Sequence, residues 1–230
     1  MDLGRGSTMN IAILTFPGTN CERDLYNVIT NTLKQQATYV RHDISDPNAL
    51  NSFDIIMLPG GSSYGDMVRP GKLASQAPIM TALHNANKNG KCILGICNGF
   101  QILTEAGILP GFLVKNPTGK FICKTVPIIV ETNKTSFTHK YKQGQRIRYP
   151  IAHGTGRYQC SDAALKDMQE NNQIVFTYAT NINDSLANIA GVTNKAGNVL
   201  GLMPHPERAM DMLLGCDDGL NLFHSMLGCV

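Results

Sequence analysis

Three short apolar runs, rich in β-branched residues and each followed closely by proline or glycine, recur in the first hundred residues. No other feature constrains the fold as strongly. The runs are Asn10 to Phe16 (NIAILTF), Asp54 to Leu58 (DIIML) and Lys91 to Ile96 (KCILGI). They are apolar along most of their length rather than at alternate residues, as strands covered on both faces of a parallel sheet are. Between them, Glu22 to Gln35 and Ala74 to Asn89 carry helical periodicity. Parallel strands need crossovers, so this β-α-β alternation predicts an α/β chain with an open, mostly parallel sheet and helices on both faces. From about Phe121 to Pro150 the pattern shifts to short alternating runs, Thr125 to Glu131 and Ile147 to Ile151, which predict a small antiparallel excursion. Gln173 to Tyr178, Ala187 to Thr193 and Val199 to Met203 resume strand character before a last amphipathic helix, Gly219 to Leu227. Neither a linker nor an internal repeat is visible. With 230 residues and 43% apolar content, a single domain over residues 9 to 230 is expected. The Gly- and Ser-rich residues 1 to 8 read as an added leader ahead of a natural start at Met9.

Open parallel sheets bind ligands beyond the carboxyl ends of their strands, so the loops after these runs are where chemistry is sought. One stands out: Gly95-Ile96-Cys97-Asn98-Gly99-Phe100-Gln101, where a buried strand gives way to a helix. It reads G-x-C-x-G, the cysteine form of a nucleophile elbow, in which flanking glycines permit a sharp turn that presents the central side chain. A helix N-terminus there favours the thiolate, and the Asn98 amide is placed to face a developing oxyanion. A second donor is expected from Gly60 or Gly61, in Leu58-Pro59-Gly60-Gly61 after the neighbouring strand. A free cysteine is ordinarily a small buried hydrophobe, and that reading is kept for Cys21, Cys92, Cys123, Cys160, Cys216 and Cys229. Cys21 alone of these sits near a helix start. Seven cysteines without a C-x-x-C pair point to reduced thiols rather than a disulfide framework or a zinc site.

A thiol doing acyl transfer needs a base, and histidine suits neutral pH. His205 lies in Met203-Pro204-His205-Pro206-Glu207, where two prolines are expected to hold the backbone extended, so that residues i and i+2 share a face. Glu207 would then orient the imidazole and stabilise its charged form. A lone His-x-Glu is usually a pair of solvated loop residues; the cysteine elbow gives this one its meaning. His153, in the glycine-rich stretch Pro150-Ile151-Ala152-His153-Gly154-Thr155-Gly156-Arg157, is a rival base with no carboxylate beside it, and its plainer reading is a loop histidine satisfied by backbone. His42, His84, His139 and His224 have no matching partner in the sequence.

Other chemistries lack support. The formal charge is +3 and Lys and Arg are dispersed without a basic stripe, which argues against nucleic-acid or membrane partners and for a small ligand. No run approaches the roughly 20 apolar residues of a membrane helix, and the N-terminus lacks the apolar middle of a signal peptide, so a cytoplasmic location is expected. There is no phosphate loop of the G-x-x-x-x-G-K-[ST] kind, no G-x-G-x-x-G after a strand and no H-E-x-x-H. The chain is therefore expected to bind no metal or cofactor. An ATP-driven synthesis would need sites on another chain.

Together the elbow, G-x-C-x-G-x-Q, and the later H-x-E resemble the class I (triad) glutamine amidotransferases, a flavodoxin-like family. Longer stretches are similar to subunit I of the phosphoribosylformylglycinamidine synthases. These are residues 16 to 24 (FPGTNCERD), 58 to 66 (LPGGSSYGD), 95 to 103 (GICNGFQIL), 150 to 154 (PIAHG), 197 to 201 (GNVLG) and 203 to 209 (MPHPERA), so the resemblance spans roughly residues 10 to 225. It implies a triad of Cys97, His205 and Glu207, an oxyanion site at Gly60, Gly61 and Asn98, and a role for Gln101 in binding the amino-acid end of L-glutamine. Gln101 lies four residues after Cys97, on the same helix face, which agrees. The resemblance implies a glutaminase that passes ammonia to a large synthetase subunit. That subunit would carry ATP and magnesium and act as a carbon–nitrogen ligase in purine biosynthesis, and a small third subunit would assist assembly. Two positions depart from the family pattern: Thr155 stands where the loop usually carries glutamate, and Ser62 where phenylalanine is common.

Two rivals remain. Cysteine hydrolases of the DJ-1/PfpI type share a similar sheet and elbow, but there the base histidine directly follows the cysteine, where this chain has Asn98. The second is a catalytically silent scaffold subunit, which an intact triad disfavours.

Overall fold

The structure is a computed structural model and describes residues 8–228, so the leader reading, Thr8 apart, and Cys229 lie outside the described residues. In chain order the elements are β1 (Asn10–Thr15), α1 (Glu22–Asn27), β2 (Gln36–Arg41), β3 (Ile55–Leu58), α2 (Met80–Lys88), β4 (Cys92–Ile96), α3 (Asn98–Glu105) and β5 (Phe112–Val114). They continue with β6 (Ile122–Val130), β7 (Arg146–His153), β8 (Arg157–Gln159), α4 (Asp162–Glu170), β9 (Ile174–Tyr178), β10 (Ile189–Thr193), β11 (Val199–Leu202) and α5 (Leu220–Leu227).

Nine strands form one sheet in the order β2-β1-β3-β4-β11-β10-β9-β6-β7, while β5 and β8 pair separately. The first five run parallel, with β1 between β2 and β3, and β4 between β3 and β11. Every residue of β3, β4 and β11 is buried, which is why these segments read as apolar runs. Each buried Leu, Ile or Val there contributes about 1.5–3 kcal/mol of transfer free energy. Right-handed crossovers lead from β1 to β2 in one direction and from β3 to β4 in the other, which places α1 and α2 on opposite faces of the sheet. The expected α/β architecture is therefore present. Its antiparallel part is longer than one excursion: β10, β9, β6 and β7 extend the same sheet, each antiparallel to its neighbour.

Two helical segments differ from expectation. The helix from Glu22 keeps α-helical bonding only to Asn27 and continues as a wider π turn over Val28–Thr32. The segment Ala74 to Asn89 is broken: a single tight turn, Ala74–Gln76, precedes Pro78, and Ala77 is forced to an extended ψ of 151° before α2 begins at Met80.

Sheet direction positions the site. β1, β3, β4 and β11 are parallel neighbours, so the loops after them open at one edge. Four antiparallel steps separate β11 from β7, so β7 ends at that edge as well. The Pro150 carbonyl of β7 accepts a hydrogen bond from the His205 backbone N–H at 2.8 Å, so the far side of the sheet returns against the loop after β11.

Candidate active site

Cys97 is the one residue between β4 and α3, and its backbone holds φ 51° and ψ −105°. Positive φ is costly for a residue with a β-carbon and persists only where the surroundings over-determine it. Here they do. The Cys97 N–H is bonded to the Leu202 carbonyl of β11, and its own carbonyl accepts from the Gln101 N–H. Gly99 lets α3 press directly on β3, because a β-carbon there would lie 2.1 Å from the Leu58 carbonyl oxygen. Cys97 is 6% exposed, with Sγ 3.8 Å from the Ala152 carbonyl oxygen.

His205 and Glu207 are buried, and Nδ1 of the ring lies 2.6 Å from Oε1 of the carboxylate. The backbone that achieves this is not the extended one expected. Pro206–Arg208 forms a single tight helical turn, which a proline at its first position permits because it needs no N–H there. With Nδ1 engaged, Nε2 is buried without a partner and is left to serve the thiol. Burial alone would depress the His205 ring; the Glu207 carboxylate and the Cys97 sulfur outweigh it and raise the ring from its ordinary 6.5 to about 10. Gly60 sits where these groups converge: a β-carbon on it would lie 2.9 Å from His205 Cε1, 3.1 Å from Cys21 Sγ and 3.5 Å from Cys97 Cβ. Gly61, with φ 146°, forms the wall beside Cys97.

Asn98 and Gln101 are buried and joined. Asn98 Oδ1 accepts the Ser63 N–H at 3.1 Å, its Nδ2 donates to Gln101 Oε1 at 2.9 Å, and Gln101 Nε2 donates to the Thr155 carbonyl at 2.6 Å. This chain of bonds ties the loops after β3 and β7 to the first turn of α3. Gln101 is thus part of the cavity wall and not a helix-surface residue.

Two chambers flank Cys97. One, of about 260 Å³, is bounded by Asn20, Cys21, Arg208 and His205; the other, of about 250 Å³, by Asp66, Gln101, His153 and Thr155. Ser62 and Phe121 border both, so the departures Ser62 and Thr155 lie in the cavity wall.

The sequence reading missed several neighbours. Cys21 is buried beside His205 and Glu207, and Arg208 Nη2 donates to its sulfur at 3.1 Å. Burial, with the Glu207 charge adding to it, pushes the Cys21 thiol up to about 12. Among the described residues, Cys21, His205 and Glu207 alone bring three metal-type donors within 4.8 Å of one another. Of these groups the sulfur is bonded to Asn20 and Arg208 and Nδ1 to Glu207, while His205 Nε2 and Glu207 Oε2 are buried without partners. His153 is not satisfied by backbone as expected: its ring packs flat on Gly156, and both ring nitrogens are buried without partners. Burial, reinforced by His205, pushes it down to about 4, so it stays neutral near pH 7. His42 does have a partner, the Tyr64 hydroxyl at 2.9 Å, and Cys123 is exposed rather than structural.

Residues 8–215 match the family model of the CobB/CobQ-like glutamine amidotransferase domain. The chain belongs to this glutamine amidotransferase family. The amidotransferase is 44% identical to a chain in the structure of PurLQS from Thermotoga maritima, covering 96% of this chain and 98% of that one with a TM-score of 0.87. It shares its fold with a glutamine amidotransferase from Thermotoga maritima, at 17% identity, 88% and 77% coverage and a TM-score of 0.57. The same holds for the glutaminase domain of Trypanosoma brucei CTPS with bound acivicin, at 14% identity, 96% and 94% coverage and a TM-score of 0.63. No helix among the described residues of the amidotransferase is long and apolar enough to cross a membrane.

Proposed function

We propose that this chain is the glutaminase subunit of a phosphoribosylformylglycinamidine synthase. In this role it hydrolyses L-glutamine and supplies ammonia to an ATP- and magnesium-dependent synthetase subunit that converts formylglycinamide ribonucleotide to the amidine. The observation that carries the reading is Cys97, held at positive φ beside a buried His205–Glu207 pair, in a chain 44% identical in sequence to a chain of the PurLQS structure.

The Cys97 sulfur attacks the carboxamide carbon, and the carbonyl oxygen becomes an oxyanion facing the Asn98 N–H and the Gly60-Gly61 turn. His205, which already holds the proton taken from the thiol, gives it to the departing amine, so ammonia leaves and a γ-glutamyl thioester remains. Water, deprotonated by the same ring, then releases glutamate and restores the thiol. Glu207 holds the ring in one orientation and stabilises its protonated form. A small third subunit completes the assembly, which works in the cytoplasm. Glutamate release should rise when the synthetase is added to the chain, and Cys97→Ser should abolish it in both states. Unchanged release in Cys97→Ser would remove the nucleophile from this account.

The residue after the cysteine speaks against a DJ-1/PfpI-type hydrolase: the Asn98 side chain is spent on Ser63 and Gln101, and the imidazole comes from the distant loop after β11.

A further inference from the structure

The chamber on the Gln101 side of Cys97 is bordered by one carboxylate, Asp66, and none of the described residues that line it is a cation. Asp66 Oδ1 is buried with no hydrogen-bond partner, an arrangement that costs free energy unless a cation completes it. The loop that carries it is held in place despite its strain. Tyr64, Gly65 and Asp66 take φ values of 53°, 65° and 54° in succession. The Tyr64 N–H is bonded to the Pro17 carbonyl, the Gly65 N–H to the Ser62 carbonyl, and the Tyr64 hydroxyl to His42. Three consecutive positions of the loop after β3 thus hold left-handed backbone, and the last of them carries the carboxylate that borders the chamber.

We propose that Asp66 is the residue that recognises the α-ammonium of the substrate, so that this chamber selects an amino-acid amide over a simple amide acid. The inference rests on the glutaminase reading and assigns the end of the substrate remote from the reacting bond. With its amide carbon at Cys97 Sγ and its ammonium at Asp66, the substrate lies along the wall formed by Gln101, His153 and Thr155. The neutral Gln101 amide and nearby backbone donors are then available for the α-carboxylate. The second chamber, bounded by His205, Cys21 and Arg208, is left to the departing amine and the incoming water. Burial, opposed in part by the Ser62 side chain, holds the Asp66 carboxyl above its ordinary range. A bound ammonium would bring it down, so substrate binding and Asp66 ionisation support each other.

The test uses the chain assembled with its synthetase and compares L-glutamine with glutaramate, the same amide chain without the α-amino group. The native complex should strongly prefer glutamine. Asp66→Asn, which keeps shape and removes charge, should lose roughly 30-fold or more in kcat/KM for glutamine, mostly through KM, and nothing for glutaramate. Because the two substrates are compared within one variant, a general loss of folded protein cancels. Equal losses on both substrates, or a preference unchanged from native, would overturn the assignment while leaving the glutaminase reading intact. A native complex that hydrolyses neither substrate overturns that reading and the subsite with it.

Discussion

Gly60 has no side chain because three others meet in the space one would fill. A β-carbon there would press on the His205 ring, the Cys21 sulfur and Cys97, and the nearest of these would have to shift by a few tenths of an ångström. Catalytic geometry is more sensitive to such a shift than folding is. Gly60→Ala should lower glutamate release on the order of 100-fold, while overpacking costs about 1–3 kcal/mol in urea denaturation. A variant with full activity would mean the three groups do not act together. The His205–Glu207 pair makes a second prediction at this scale, through pH. The folded ring titrates near 10 against an ordinary 6.5, so its pairing contributes fully below about 6.5 and is lost as pH rises through about 10. Glu207→Gln leaves a buried imidazolium uncompensated and should cost on the order of 3 kcal/mol at pH 6. That difference should shrink as urea titrations are repeated at higher pH; a constant difference would show that the ring is not charged in the folded chain.

Among the elements, α3 is the hub, because Cys97 immediately precedes it and its first turn carries Asn98 and Gln101, tied by side chains to the loops after β3 and β7. Asn98→Ala leaves the Ser63 N–H and the Gln101 side-chain oxygen Oε1 without partners. It should cost about 2 kcal/mol in denaturation and raise KM for glutamine more than it lowers kcat, since Gln101 loses its support. A fall in kcat alone would place the Asn98 side chain, and not only its backbone N–H, in the chemistry rather than in substrate positioning. These bonds also show where sequence reading stops. The strands β1, β3 and β4 were legible because both their faces are covered, which leaves an apolar run. β2 was not, because as an edge strand it exposes most of its side chains and carries no run. The three-residue strands β5 and β8 are too short to show periodicity, and α4, capped by Ser161, buries only Met168 and so carries no apolar stripe. Cys97 was visible from its flanking glycines. Asp66 and Cys21 stood in recognised stretches without a role, because burial without a partner is a property of the folded cavity and not of local sequence.

In the whole molecule, the two halves of the chain divide the work at one sheet edge. The parallel half supplies Cys97, the glycine turn and Asp66. β11 brings His205 and Glu207, and the antiparallel strands carry Ala152 and His153 round to close the cavity, fixed by the bond from the His205 N–H to Pro150. Phe121 borders both chambers while two-thirds exposed, so the cavity mouth faces outward at that residue. A glutaminase that feeds a partner should be gated by docking at such a mouth, which predicts slow hydrolysis by the isolated chain and faster hydrolysis in the assembly. The most direct test of the central claim, a glutamine-accepting Cys97 nucleophile, is intact mass after incubation with a glutamine-mimicking diazo-ketone. Native chain and Cys97→Ala are compared, each with the synthetase present. A single adduct on the native chain and none on Cys97→Ala is the predicted result. An unlabelled native chain, or an adduct that survives the substitution, would contradict it and leave the chain as a scaffold subunit or place the nucleophile elsewhere.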